Sequence, residues 1–550
     1  MPFDAPPPEP DTAAPDRSTS TLAPLRLPVF RMLWFTWLAA NISMWMNDVA
    51  AAWLMTSLTT SPVLVALVQT ASTLPVFLLG LPSGALADIL DRKKFFLFTQ
   101  LWVAVVALVL CATVLAGWMS PLMLLAMTFA NGIGLALRWP VFSAIVPELV
   151  PRHQLPAALA LNGVSMNASR IIGPLLAGAL IASLGSAYVF MLNAALALTA
   201  AVVISRWKRT PTPQPLGREK LISAMRVGMQ FVAQSAHLQG VLARIFLFFF
   251  HSTALIALLP LVARGLPGGD ARTFTLLLAS MGSGAIVAAL NMQRLRRYWP
   301  RDALVLRGAA LQSLAMAVVA FAPNTTVAAL AMVVAGMAWI TTANSLSVSA
   351  QFALPDWVRA RGMSIYQMAI MGASASGAAI WGQVASHYAI RGSLVAAAIT
   401  GVITMLLANR WLADSQTEED LTPTRLFKVP QPQQPPGAGR VVLTIEYRID
   451  PARADEFKEL MRVSRRGRLR HGALSWDLLR DINDPGLFVE QIVDESWTEH
   501  LRRFDRVTTA DATLRDRKQA FHIGQEPPVV RRRVVESVHG TDNARTIPAD

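Results

Sequence analysis

The chain is poor in charge and almost without cysteine: of 550 residues, 15% are charged and one, Cys111, is a cysteine. A single cysteine excludes an intrachain disulfide and leaves the redox compartment open. Soluble globular proteins carry about 25% charged residues, so the shortage of charge argues against an ordinary water-soluble fold. No Gly-rich loop ending in Lys-Ser or Lys-Thr is present, which excludes a P-loop ATP-driven pump. No cysteine and histidine cluster has metal-ligand spacing, so neither a metal nor a cofactor is expected. Residues 1–28 lack the basic start and apolar core of a signal peptide. Their Pro, Ala, Ser and Asp content reads as a disordered tail.

What the chain does have is long apolar runs: 53% of its residues are hydrophobic. Runs of about 20 apolar residues read as membrane-spanning helices. They fall at residues 33–56, 62–83, 95–116, 120–142, 157–182, 187–205, 242–262, 273–292, 303–321, 325–347, 361–385 and 390–411. That makes about twelve spans, in two groups of six separated by the polar stretch 206–240. Within it, Leu221, Met225, Met229 and Val232 recur at helical spacing beside basic residues. This suits an amphipathic helix, either on the membrane surface or packed under the bundle.

The net charge of +14 is distributed by topology. Alternate loops hold Arg92, Lys93 and Lys94; Arg152; Arg206, Lys208, Arg209, Arg218 and Lys220; Arg294, Arg296, Arg297 and Arg301; and Arg359 and Arg361. The intervening loops are nearly bare, apart from Arg264, Asp270, Arg272 and Arg391. Basic loops stay in the cytoplasm, so both termini are expected there. The excess charge is therefore an orientation signal, and nucleic acid is not an expected partner.

The loop Gly84-Ala-Leu-Ala-Asp88-Ile-Leu-Asp91-Arg92-Lys93-Lys94 lies between the second and third spans. Gly84 permits close helix approach, and Asp88 can pair with Arg92 or a helix N-terminus. Val146-Pro-Glu-Leu-Val-Pro-Arg152 and Leu354-Pro-Asp-Trp-Val-Arg359 occupy equivalent loops in the two halves, a weak internal repeat. In the fifth span, Ala160, Ser169, Gly173, Pro174, Ala177 and Gly178 form a stripe of small or helix-bending residues.

Over residues 31–412 these features resemble the major facilitator superfamily. The opening loop is similar to its hallmark loop, with Gly84, Asp88, Asp91, Arg92 and Lys93 at the gate positions. Ile89 and Asp91 depart from the usual basic residue and glycine. Together with the Pro-Glu-Leu-Val-Pro-Arg run and Asn167-Ala-Ser-Arg170-Ile-Ile-Gly-Pro174, the loop resembles the enterobactin-exporter-like branch, also called transmembrane secretion effectors. The resemblance implies two six-helix bundles in a bacterial inner membrane, a cytoplasmic latch at the loop, and export of a siderophore-like or hydrophobic drug-like molecule. The fifth-span stripe of Ser169, Gly173, Pro174 and Gly178 is similar to the antiporter motif of that superfamily.

Polar groups inside spans are functional candidates because burial there is costly. Asn41, Trp45 and Asp48 share one helical face, and Asp48 is the candidate proton carrier. Arg170 stands mid-span, suited either to pair with Asp48 or to bind an anionic substrate. Asn167, His251 and Gln367 complete the expected pathway, while Trp339 and Trp381 suit contact with a substrate ring or packing. Arg138, near the end of the fourth span, is expected to snorkel or to pair with Asp88.

After residue 412 the composition changes. Residues 413–439 form a Pro-rich linker. Residues 440–536 then read as strand, helix, two strands, helix and strand, an α+β ferredoxin-like order, with 537–550 as a tail. This segment resembles antibiotic-biosynthesis-monooxygenase-like domains, which implies a homodimer. His471, Trp476 and His500 have no diagnostic spacing, so a regulatory or dimerising module is expected, with no catalytic residues. The sequence points to a proton-coupled exporter of a small molecule. An importer or uncoupled facilitator, and a membrane-anchored enzyme, are the alternatives.

Overall fold

The computed structural model describes residues 22–151, 154–208, 221–412, 439–504 and 506–536. The expected tails and most of the Pro-rich linker lie outside these residues. So do Arg152, Arg209, Arg218 and Lys220, and the side chains of Gly84, Asp88 and Asn167.

Six helices form an N-terminal bundle: α1 (Pro28–Leu58), α2 (Pro62–Ile89), α3 (Arg92–Leu115), α4 (Pro121–Leu149), α5 (Leu155–Ser183) and α6 (Ser186–Arg206). A short α7 (Leu221–Gln234) leads to α8 (Ala236–Gly265), α9 (Ala271–Tyr298), α10 (Arg301–Ala320), α11 (Thr325–Phe352) and α12 (Asp356–Leu412). Local chemistry sets the ends. Proline opens α1, α2 and α4, where its missing N–H costs nothing. Asp91, Ser120, Ser235, Asp270 and Asn324 cap α3, α4, α8, α9 and α11 by accepting from backbone N–H groups.

Among the described residues, ten of these helices are long and apolar enough to cross a membrane. One of them, the 57-residue α12, leaves helical geometry at Tyr388 and Ala389, the latter at φ 60°, and so crosses twice. Ser393 Oγ braces that break by donating to the Trp381 carbonyl at 2.7 Å. The 31-residue α1 is more polar, with Asn41, Asn47 and Asp48 near its middle, and packs along α5 and α6. The fold is thus two bundles of six spans in a multi-pass membrane protein.

The expected linker reached residue 240, but α8 begins at Ala236. Of the two readings of α7, packing under the bundle is the one observed. Its buried face is Val227, Gly228 and Phe231, and Met229 is exposed. Phe231 meets Trp357 of α12 edge-on, with centroids 5.7 Å apart. An aromatic ring anchors the helix where the spacing of methionines alone pointed elsewhere.

The bundles share one core at one end only. Near the nearly uncharged loops, a single apolar cluster joins Met46, Val65, Leu110 and Phe190 of the first bundle to Leu255, Phe274, Met332 and Trp381 of the second. Near the basic loops the core divides. Phe30, Trp37, Phe96, Phe142 and Ile204 cluster within the first bundle, and Leu238, Phe248, Leu346 and Tyr366 within the second.

The C-terminal unit is α+β. It contains β1 (Val441–Arg448), α13 (Ala454–Arg470), β2 (Ser475–Arg480), β3 (Leu487–Asp494), α14 (Trp497–Phe504), α15 (Thr509–Gln519) and β4 (Val529–Val534). The antiparallel sheet has the order β2-β3-β1-β4, the ferredoxin-like topology read from the sequence. Leu443, Ile445 and Tyr447 alternate inward onto Phe457 and Met461 of α13. The unit docks on α7 and the start of α12. Arg226 pairs with Glu495 at 2.6 Å, and Gln230 Nε2 donates to the Ala473 carbonyl at 3.2 Å. Trp357 lies beside His471 and under the Arg506 guanidinium, which is 5.1 Å from its ring centroid.

Candidate functional site

Arg170 projects from the middle of α5 into the seam between the bundles. Its guanidinium lies 4.3 Å from the ring centroid of Trp339 on α11, in the opposite bundle, and 5.4 Å from that of Trp45 on α1. Arg170 Nε is buried without a hydrogen-bond partner. A planar cation between two indoles, with donor capacity unspent, can receive an anionic or aromatic group. The small-residue stripe of α5 makes this approach possible. A Cβ on Gly173 would sit 2.5 Å from Trp45 Cβ, and one on Gly178 would collide with Thr275 of α9 in the other bundle. Ser169, fully buried, turns its hydroxyl back to the Ser165 carbonyl at 2.7 Å. Pro174 stands inside the helix.

Asp48 does not pair with Arg170. Its carboxylate accepts from Ser72 Oγ of α2 at 2.9 Å, and no ion pair joins it to Arg170 among the described residues. The shared face read from spacing therefore splits, with Trp45 beside α5 and Asp48 against α2. Asn41 is fully buried, and neither of its amide atoms has a partner. Gln367 is half-buried on the stretch of α12 that runs beside α2. His251 sits within the second bundle, packed against Phe250 and Trp381, with Nδ1 at 2.7 Å from the Leu247 carbonyl. That is a packed wall histidine.

Other bridges between the bundles were not legible. Thr70 Oγ1 of α2 donates to the Ala375 carbonyl of α12 at 2.8 Å. Trp53 of α1 stacks on Phe274 of α9 and receives Arg264 over its ring at 5.0 Å. The cation in an otherwise bare loop was the available signal.

At the basic end, the gate loop is built on α3. Asp91 caps the helix by accepting from Lys94 N at 2.9 Å. Arg92 pairs with Glu148 at the end of α4, at 2.6 Å. Lys93 Nζ donates to the Ser205 carbonyl at 2.8 Å, near the C-terminus of α6. The loop motif and the Pro-Glu-Leu-Val-Pro-Arg run thus meet through a salt bridge. Arg138 neither snorkels nor sits near the surface. It is 3% exposed inside the first bundle, over the Trp37 ring at 5.3 Å.

In the α+β unit the three candidate side chains separate. His471 faces Asp511 at 3.4 Å. His500 Nδ1 lies 2.7 Å from Asp494, which also accepts from Arg503. Trp476 donates to Glu490 at 2.9 Å. Burial raises the Glu490 carboxyl, but Lys518 and Arg468 outweigh it and hold the group well below the usual carboxylate range. These are paired networks rather than a converging set.

The sequence profile of a family described as transmembrane secretion effector matches residues 19–539, which takes in the α+β unit. The chain is 25% identical over 305 residues to macrolide efflux protein A of Streptococcus pyogenes, covering 54% of this chain and 73% of that protein. It is 25% identical over 319 residues to the enterobactin exporter EntS of Salmonella choleraesuis, covering 58% and 76%. Aligned lengths among such relatives range from 41% to 78% of their own chains. A bacterial homologue of the human lysosomal transporter Spinster, solved inward-facing and unoccupied, superimposes with a TM-score of 0.56. It is 16% identical and covers 72% of this chain and 99% of its own.

Proposed function

The chain belongs to the transmembrane secretion effector family, and from that premise we propose that it exports a siderophore-like or hydrophobic drug-like molecule by proton antiport. Family and relatives are transporters, not enzymes. The single observation that carries the reading is Arg170 held between Trp45 and Trp339, one indole from each bundle. A group bound there touches both moving parts, which alternating access requires.

Orientation follows the basic loops, which lie on the cytoplasmic side. The shared core then closes the outer end, and the divided core marks an inward-facing form. Asp48 is the proton carrier of this reading: a carboxyl within a span, held by one serine of α2. The Arg92–Glu148 pair and the Asp91 cap organise the gate. The α+β unit serves as a regulatory or dimerising module, in keeping with its resemblance to monooxygenase-like domains.

The test is accumulation of a macrolide and of a catecholate siderophore in cells with and without the protein, before and after a proton uncoupler. Export lowers accumulation, and the uncoupler restores it. Raised accumulation would instead mark an importer. Asp48→Asn should abolish uphill efflux while leaving substrate exchange in place. Proton-driven efflux that survives this change intact removes Asp48 from the role.

A further inference from the structure

A cavity inside the first bundle has a chemistry that the transport site does not use. It lies among α1, α3, α4 and α6, lined by Ser43, Gln100, Asn131, Arg138 and Asn193 with apolar neighbours. Its volume is about 20 Å³, room for one water-sized group. No acidic side chain lines it.

Its most deeply buried donors lack partners. Arg138 spends Nη1 on the Ala40 carbonyl at 3.2 Å, while its Nε and Nη2 have no partner. Gln100 Nε2 is also buried without one. Ser43 donates to Asn193, and Asn193 passes a hydrogen bond on to Asn47 at 3.2 Å. Among the fully buried polar atoms of the lining, those without a partner are Arg138 Nε and Nη2 and Gln100 Nε2, all donors. Arg138 is 3% exposed, within a span, and in no ion pair among the described residues. A buried guanidinium with nothing opposite carries a large desolvation cost, and the Trp37 ring offsets only part of it.

We propose that this cavity binds a single-atom anion of halide size, held by Arg138 and Gln100. Water fits the volume but supplies no charge to set against the Arg138 guanidinium. The anion would tie α3 and α4 to α1 and α6, making the first bundle's stability depend on chloride.

The test uses the purified full chain in detergent, with sodium chloride titrated against sodium gluconate at constant ionic strength. The thermal midpoint should rise saturably with chloride, as for any ligand of the folded state. Arg138→Gln should lose that rise, and Arg170→Gln should keep it. Should Arg138→Gln fail to fold, Gln100→Leu should move the half-saturating chloride several-fold higher. Crystals soaked in bromide should show one anomalous peak between Arg138 and Gln100. No rise in the wild type, an equal rise in the variants, or no peak would each overturn the assignment in favour of an ordered water.

Discussion

Replacing Arg170 by lysine keeps the charge and removes the flat face that Trp339 holds at 4.3 Å. Such contacts contribute about 0.5 to 2 kcal/mol, so Arg170→Lys should weaken substrate binding about twofold to thirtyfold. Arg170→Gln should abolish transport of an anionic substrate. Binding titrations on purified protein read both. Arg170 itself was legible because charge within an apolar run is conspicuous. Its partner was not, since Trp339 is one of 15 tryptophans and only the tertiary fold brings it across the seam. His251 shows the converse. A histidine in a span stands out in sequence, but the rings of Phe250 and Trp381 that enclose it come from packing. Arg138 was misplaced because its distance from the helix end gave no sign that it turns inward over Trp37.

Among the elements, α3 and α4 are joined at the basic end by Arg92 and Glu148, whose side chains are only 16% and 18% exposed. Partial burial makes this pair more consequential than a surface salt bridge. Arg92→Glu should reduce transport strongly through like-charge repulsion at the gate. The exchange Arg92→Glu with Glu148→Arg should recover part of it. Flux measured for single and double variants separates a specific pair from a general need for positive charge, because the double variant restores the pair while the loop still lacks the charge of Arg92. The helices themselves were readable from apolar runs, with starts set by Pro28, Pro62 and Pro121 and by the Asp91, Ser120 and Asn324 caps. Pairing between loops was not, because nothing in either motif encodes which helix end its neighbour will occupy. In α7, Val232 of the expected apolar face packs against the second bundle's core, but Met229 is exposed. The true anchor, Phe231, acts through Trp357 far along the chain.

For the molecule as a whole, the two-bundle plan and the βαββαβ tail could be read from sequence, whereas the docking of one on the other could not. That docking carries a pH dependence. His471 is buried beside Trp357, and burial lowers its pKa to about 4 against the pull of Asp511. The folded state holds it neutral where an unfolded chain, with the ordinary value of 6.5, would already bind a proton. Stability should therefore fall as pH drops from about 6.5 towards 4, and gain nothing from this group above that window. Thermal midpoints of the full chain across that range should show the slope, and His471→Gln should reduce it to the part that His500, also lowered by burial, contributes. The α+β unit is seated on α7 and α12, and no helix from α1 to α6 packs extensively against it among the described residues. In the transport cycle proposed above, this makes the second bundle a stator. Whatever grips the α+β unit from outside, including another copy, holds that half still and leaves the first bundle as the part that swings. Spin-label distances from β2 to α10 should stay constant through the cycle, while those from β2 to α3 change.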